Sequence, residues 1–88
     1  MKKVTPTNQF KSDLKKYQNK QKIVDDLMNV IKMLQAGQKL PEKFKDHKLK
    51  GQYSSCRDCH IRPDDVFIYE INDTEVILIR FGSHAELY

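Results

Sequence analysis

The segment that decides the fold is 66-VFIYEINDTEVILIRF-81. Its two apolar runs, residues 66–71 and 75–81, are rich in β-branched and aromatic side chains, which favour β-strands. Between the runs lies the polar tripeptide 72–74, NDT, whose residue types form turns. The segment therefore predicts a β-hairpin, and the other elements are predicted outward from it.

The N-terminal half predicts one short strand and a helical hairpin. Residues 2–7, KKVTPT, predict the strand, and Thr7 or Asn8 can cap the helix that follows. In this helix the apolar residues recur at helical spacing, namely Phe10, Leu14 and Tyr17. Residues 22–37 predict a second helix that ends at a glycine. Its apolar stripe is formed by Ile23, Leu27, Val30, Ile31 and Leu34.

The region between the helices and the hairpin predicts a loop and then a strand. Residues 38–51 contain Pro41 and Gly51 and have no clean period, so we expect a loop. Residues 52–61, QYSSCRDCHI, alternate loosely and can form a strand. The order is β-α-α-β-β-β, which predicts an α+β fold with a mostly antiparallel sheet and both helices on one face.

Composition limits the class of protein. With 88 residues, 32% charged and 39% hydrophobic, the chain is expected to fold as one domain over residues 1–88. No apolar run approaches the roughly 18 residues of a membrane span. The N-terminus has no apolar core of a secretory signal, so we expect a cytoplasmic location. In a reducing compartment the two cysteines are expected to be thiols.

Charge is distributed unevenly along the chain. Residues 1–50 hold 13 lysines and 5 acidic residues, a net charge of +8. Residues 51–88 hold 3 arginines and 7 acidic residues, a net charge of −4. A lysine-rich helical half favours polyanions such as RNA or DNA, although a solvated helix surface has the same composition.

The motif 56-CRDCH-60 has the spacing of a haem-attachment site, and a metal site or a redox dithiol are further alternatives. On a strand, Cys56 and Cys59 point to opposite faces because their separation is odd. This geometry argues against one shared ion and against an easy disulfide. The cysteines are therefore expected to be ordinary residues of a half-buried sheet.

All three histidines of the chain follow the helical half and lie in polar or turn-forming segments: His47, His60 and His84. The same segments contain one further acid and three arginines, namely Asp64, Arg57, Arg62 and Arg80. Histidine can act as a general acid or base near neutral pH, and arginine can stabilise a phosphate transition state. Such a set suits RNA cleavage by the 2′-hydroxyl route. That route needs no metal or other cofactor, because the nucleophile is already in the substrate. The residues permit this chemistry without requiring it.

Four blocks of the sequence carry a family resemblance: 45-KDHKLKG-51, 56-CRDCHIRPD-64, 66-VFIYEI-71 and 79-IRFGSHAELY-88. In their order and spacing they resemble the YafQ branch of the RelE/ParE superfamily of bacterial type II toxins. The resemblance implies a RelE-like fold. It also implies a ribosome-dependent endoribonuclease that cuts mRNA, inhibits translation and is held inactive by a cognate antitoxin.

The resemblance also implies roles for individual residues. His84 is the expected general acid, Asp64 or His60 the base, and Arg80 the group that holds the scissile phosphate. His47 would orient or neutralise the phosphate. The residues expected to contact substrate are Tyr88, Arg62, Lys48 and Lys50. The lysine-rich helices would dock on ribosomal RNA.

The chain departs from the family pattern at one position, and the fold also has an alternative function. Family members often place an aromatic residue after the Pro-Asp pair, where this chain has Asp65. A stacking surface is then lost, and a negative charge is expected beside the phosphate path. The alternative function is that of a non-nuclease toxin of the same fold, such as the ParE branch, which inhibits DNA gyrase by binding. That branch generally lacks the histidine set.

Overall fold

The computed structural model describes all residues, 1–88, as an α+β fold whose elements follow the predicted order with two additions. The strands are β1 (Lys3–Pro6), β2 (His47–Lys48), β3 (Arg57–Arg62), β4 (Asp65–Ile71) and β5 (Glu75–Gly82). The helices are α1 (Asn8–Lys15), α2 (Gln21–Gln35) and α3 (His84–Leu87). Single 3-10 turns form at Glu42–Phe44 and Gly51–Tyr53.

The five strands form one sheet in the order β1-β5-β4-β3-β2. β1 runs parallel to β5, whereas the other three pairings are antiparallel. The predicted hairpin is confirmed as β4–β5, and Asn72 makes its turn. The Asn72 side-chain oxygen accepts hydrogen bonds from the backbone amides of Thr74 and Glu75, each at 2.9 Å.

Both long helices cover one face of the sheet, as predicted. Thr7 caps α1 by accepting a hydrogen bond from the Phe10 amide at 3.1 Å. The stripe of α2 packs into the main core, where its buried residues are Leu27, Val30, Ile31 and Leu34. Phe10 and Tyr17 of the first predicted helical segment are buried in the same core. The helix-covered face therefore carries most of the apolar burial.

The opposite face of the sheet is largely open and carries a smaller apolar cluster of Cys56, Val66, Ile68 and Leu87. Leu87 comes from α3, which folds back against β5. Gly82 permits this approach, because a Cβ at Gly82 would lie 3.1 Å from a Glu86 carboxylate oxygen and 3.4 Å from a Leu87 methyl carbon. Ser83 then caps α3 in a reciprocal capping box with Glu86.

The segment between α2 and β3 differs from the prediction. The predicted loop 38–51 contains β2, whose residues pair with β3 as His47↔Asp58 and Lys48↔Arg57. The predicted strand 52–61 begins only at Arg57, because residues 51–53 form a 3-10 turn. A strand of two residues is too short to show the period-2 pattern by which strands are recognised.

No helix of the protein is both long and apolar enough to cross a bilayer.

Candidate active site

The open face of the sheet brings together side chains from four segments. Across three strand pairings, His47, Asp58, Ile68 and Arg80 are successive partners in one row. Cross-strand partners project from the same face, so this row lies on the side away from the long helices. His60 begins the adjacent row, where its partner is Val66. Strand register alone therefore collects two histidines and an arginine on one surface.

α3 adds the third histidine and the last residue of the chain. His84 and Tyr88 are four residues apart across one helical turn, and their ring centroids are 5.0 Å apart. The His84 ring lies 6.0 Å from the His60 ring, centroid to centroid. The Tyr53 ring meets the Tyr88 ring edge to face at 6.3 Å. The rings of His60, His84, Tyr88 and Tyr53 thus form a continuous row along the open face.

Asp58 links this aromatic row to His47. It is 2% exposed, and its Oδ2 accepts a hydrogen bond from the Tyr88 hydroxyl at 2.7 Å. Its Oδ1 lies 3.0 Å from His47 Nδ1. Nδ1 also lies 2.8 Å from the Lys45 carbonyl oxygen, and its single N–H bonds there, so Asp58 Oδ1 accepts no well-aligned hydrogen bond. Burial, and then the hydrogen bond to Asp58, raise the pKa of Tyr88, which keeps the phenol protonated as a donor.

Arg80 is held in place from α1. Its Nε and Nη2 atoms donate to the two carboxylate oxygens of Asp13 at 2.8 and 3.1 Å. Asp13 also accepts from the Phe81 backbone amide at 3.0 Å. Burial raises the pKa of Asp13, but the hydrogen bonds from Arg80 and Phe81 outweigh it and leave that pKa below its usual value. Because Asp13 is only 2% exposed, it fixes one side of the guanidinium.

The remaining predicted residues lie outside this cluster. Asp64 is exposed in the turn between β3 and β4 and forms no hydrogen bond or ion pair. Arg62 pairs with Asp26 of α2, with Nη2 2.6 Å from the carboxylate. Lys48 follows His47 on β2 and points to the other face of that strand. Lys50 is exposed, and its ammonium group forms no hydrogen bond or ion pair. The structure therefore brings together His47, His60, Arg80, His84 and Tyr88, and leaves Asp64, Arg62, Lys48 and Lys50 around them.

Asp65 does not lie where the sequence led us to expect it. Its carboxylate accepts a hydrogen bond from the Tyr17 hydroxyl at 2.8 Å. Tyr17 is buried in the main core against Phe81, so this contact is on the helix-covered face. The structure therefore places this negative charge on the helix-covered face, opposite to the row of His47, Asp58 and Arg80. The loss of an aromatic stacking surface at this position stays a prediction.

The cysteines lie as strand alternation predicts. Cys59 is fully buried in the main core, whereas Cys56 is buried in the small cluster on the opposite face. The two sulfur atoms therefore face different layers and cannot chelate one ion together. Burial, followed by the nearby carboxylates of Asp46 and Asp58, raises the pKa of Cys59, so we expect its thiol to react slowly.

Two residues of the site were missed at the sequence level, although each left a signal. Asp58 precedes His60 by two residues, and strand alternation places both on the same face. Asp13 lies three residues after Phe10 on the apolar side of α1, where an unpaired carboxylate would be costly. Asp13 orients Arg80 through two hydrogen bonds, whereas Asp58 accepts a hydrogen bond from Tyr88 and lies beside the His47 ring.

The chain is similar to known proteins over nearly its whole length. A family model described as a bacterial toxin of type II toxin–antitoxin systems, YafQ, matches residues 2–88. The mRNA interferase toxin YafQ of Escherichia coli K12 is 32% identical over 83 residues, which cover 93% of this chain and 90% of that protein.

Two solved structures extend the similarity to three dimensions. A copper-bound mutant toxin from Helicobacter pylori superimposes with a TM-score of 0.92 at 38% identity, and the match covers 100% of both chains. The E. coli DinJ–YafQ complex contains a chain with a TM-score of 0.88 at 30% identity, covering 100% of this chain and 99% of that one. The chain therefore belongs to the YafQ family of bacterial toxins of type II toxin–antitoxin systems.

Proposed function

We propose that this toxin is an endoribonuclease that cleaves mRNA on the ribosome and thereby inhibits translation. The observation that carries the proposal is the pair of imidazole rings, His60 and His84, 6.0 Å apart on the open face of the sheet. Two groups that exchange protons with a phosphodiester must flank it within hydrogen-bond reach. The two rings are too close for a phosphate to enter between them, but a phosphodiester that lies across their edges can be within hydrogen-bond reach of one nitrogen of each ring.

His60 is the base in this proposal. Its Nδ1 lies 3.4 Å from the Pro63 carbonyl oxygen, a long contact that favours a proton on Nδ1. Nε2 is then free to take the proton from the 2′-hydroxyl. Asp64 was the alternative base, but its exposed position in the turn makes it a better candidate for holding the ribose or the base of the substrate.

His84 is the acid in this proposal and protonates the leaving 5′-oxygen. Arg80 stabilises the additional negative charge of the pentacoordinate phosphate, because Asp13 fixes its guanidinium in advance of the reaction. His47 orients or neutralises the same phosphate through Nε2, because Nδ1 faces the Lys45 carbonyl and the Asp58 carboxylate. Tyr88 contacts the substrate base or closes the groove. The products are a 2′,3′-cyclic phosphate and a 5′-hydroxyl.

The protein partners follow from the family and from the charge distribution. The E. coli relative has been solved as a complex with DinJ, which supports a cognate antitoxin for this chain as well. The lysine-rich residues 1–50, with a net charge of +8 from 13 lysines and 5 acidic residues, provide a cationic surface for ribosomal RNA. Ribosomal docking would position the open face over the message.

Expression in cells followed by mapping of message ends tests the proposal. Wild type is expected to arrest growth and to produce new message ends, whereas His84→Ala is expected to do neither. Ala85→Ser, at the exposed neighbouring position of α3, is the matched control and should behave as wild type. Growth arrest by wild type without new message ends, together with inhibition of gyrase supercoiling by the purified protein, would favour the ParE-like alternative and contradict the proposal.

A further inference from the structure

A pocket lined by basic residues lies beside His60, between the 3-10 turn Glu42–Phe44 and the end of β3. It has a volume of about 250 Å³, and none of its lining residues is hydrophobic. The lining residues are Lys43, Lys45, His60, Arg62 and Pro63. Drug-sized ligands occupy pockets of about 300–1,000 Å³. This pocket is smaller and cationic, so it suits a compact anion.

The positive charge of the pocket is only partly neutralised. Asp26 pairs with Arg62, but it contacts only the Nε and Nη2 atoms of the guanidinium. Lys43 Nζ lies 5.1 Å from the centroid of the Phe44 ring and forms no ion pair. Lys45 is exposed, and its ammonium group has no carboxylate partner. Of these three cationic groups only Arg62 has a carboxylate partner, and the free ammonium and guanidinium N–H groups are donors for phosphate oxygens.

Lys45 connects the pocket to the proposed reaction. Its backbone is left-handed, with φ 51° and ψ 43°, a conformation that costs a non-glycine residue about 1 kcal/mol or more. In this conformation its carbonyl oxygen bonds His47 Nδ1, while its side chain lines the pocket. His60 lines the same pocket and faces His84. An anion in the pocket would therefore lie next to the scissile phosphate.

We propose that the pocket of Lys43, Lys45, His60 and Arg62 binds the RNA phosphate adjacent to the scissile one. The inference rests on the proposed function, because it places the neighbouring nucleotide of the same RNA strand. Ammonium and guanidinium groups recognise phosphate without reading the base, so the pocket fixes the register of the strand and contributes no base preference. The scissile bond is thereby presented to His60 and His84.

The test measures RNA binding in a cleavage-deficient background. His84→Ala protein is combined with Lys43→Gln/Lys45→Gln, or with the charge-matched control Lys2→Gln/Lys3→Gln. The control residues lie at β1, which is the opposite edge of the sheet from β2. Binding of a labelled single-stranded RNA is followed by fluorescence anisotropy over a series of salt concentrations. The same RNA is also prepared with one methylphosphonate linkage, which carries no charge, at each position in turn.

The pocket variant is expected to bind about tenfold more weakly than the control. Its plot of log affinity against log salt should lose about 0.7 of slope, the value for one phosphate of single-stranded nucleic acid. One neutral linkage adjacent to the cleavage site should weaken RNA binding by the control protein by a similar factor. It should not weaken RNA binding by the pocket variant further, because the neutral linkage and the lysine substitutions remove the same contact.

Equal affinity and salt slope in the two double variants would overturn the proposal. Weaker binding of the cognate antitoxin with unchanged RNA binding would also overturn it, by assigning the pocket to an acidic protein segment. Cleavage of ribosome-bound message by the pocket variant in an otherwise wild-type chain is measured in parallel. If wild type cleaves and the pocket variant binds RNA as the control does, only the phosphate-binding role of the pocket is refuted. If wild type does not cleave message at all, the proposed function is refuted.

Discussion

Replacement of Asp13 by asparagine is the perturbation that most severely tests how the site is held together. The carboxylate is 2% exposed and accepts hydrogen bonds from Arg80 Nε, Arg80 Nη2 and the Phe81 amide at 2.8–3.1 Å. An asparagine has one acceptor oxygen where the carboxylate has two, and its NH₂ group would face donors. The variant therefore loses the charge and at least one hydrogen bond, and it leaves Arg80 unpaired.

The expected cost can be placed within a range. Breaking a buried ion pair costs about 3–5 kcal/mol, and water can partly compensate Arg80 because its side chain is 23% exposed. We therefore expect a loss of about 3 kcal/mol in the free energy of unfolding. For a chain of this size, 1 kcal/mol corresponds to about 4–8 °C, so the Tm should fall by about 12–24 °C. The matched control is Asp25→Asn, because Asp25 is exposed on α2 and has only a hydrogen bond from Gln21.

The dependence on pH provides an internal check on this reasoning. The pKa of Asp13 is lowered in the folded protein, so its stabilising contribution is complete above the unfolded-state pKa of about 3.9. The contribution disappears as the pH falls through the lower, folded-state value. The Tm of Asp13→Asn should therefore lie well below that of wild type at pH 7, and the difference between the two Tm values should shrink below about pH 4. A Tm within about 3 °C of wild type at pH 7 would refute the role of Asp13 as a structural anchor of Arg80.

Three further predictions concern other parts of the site. Tyr88→Phe removes the hydroxyl that donates to Asp58 at 2.7 Å, so the free energy of unfolding from urea denaturation should fall by about 1–2 kcal/mol with an unchanged m-value. An unchanged urea midpoint would contradict a stabilising hydrogen bond between Tyr88 and Asp58. Ellman's reagent should label neither buried cysteine rapidly in the native protein and both after denaturation, since burial raises the pKa of Cys59; rapid native labelling of Cys59 would show that the core is open there. His60→Ala should lower the single-turnover rate of message cleavage by at least about 100-fold, and Asp64→Ala by less; the reverse order would transfer the role of base to Asp64.

Much of the fold could be predicted from sequence because its signals are local. The hairpin β4–β5, the cap at Thr7 and the stripe of α2 each depend on residue types a few positions apart. β2 could not be predicted, because it consists of two residues held by partners distant in sequence. Asp46, which immediately precedes β2, holds this segment in place by accepting hydrogen bonds from the Tyr69 hydroxyl at 2.7 Å and from Arg57 Nε at 3.2 Å. Such tertiary contacts leave no periodic pattern.

The same distinction applies to the site. His47, His60, Arg80, His84 and Tyr88 could be named because each lies in a recognisable block, and the structure brings these five together. The orientation of Asp65 could not be anticipated, since it depends on a hydrogen bond to Tyr17, which is 48 residues away. The link from Asp58 to His47 and Tyr88 depends likewise on strand register and on the position of α3. Sequence thus indicated candidate groups for the reaction, and the structure added two buried acids, Asp13 beside Arg80 and Asp58 beside His47 and Tyr88.

The central claim is that His60 and His84 cleave message by the 2′-hydroxyl route. The most direct measurement is the chemistry of the RNA ends formed on purified ribosome–message complexes by wild type, His60→Ala and His84→Ala. The account predicts that wild type leaves 2′,3′-cyclic phosphate and 5′-hydroxyl ends, and that both variants form them at least about 100-fold more slowly. Ends carrying a 5′-phosphate and a 3′-hydroxyl, or equal rates for all three proteins, would contradict it.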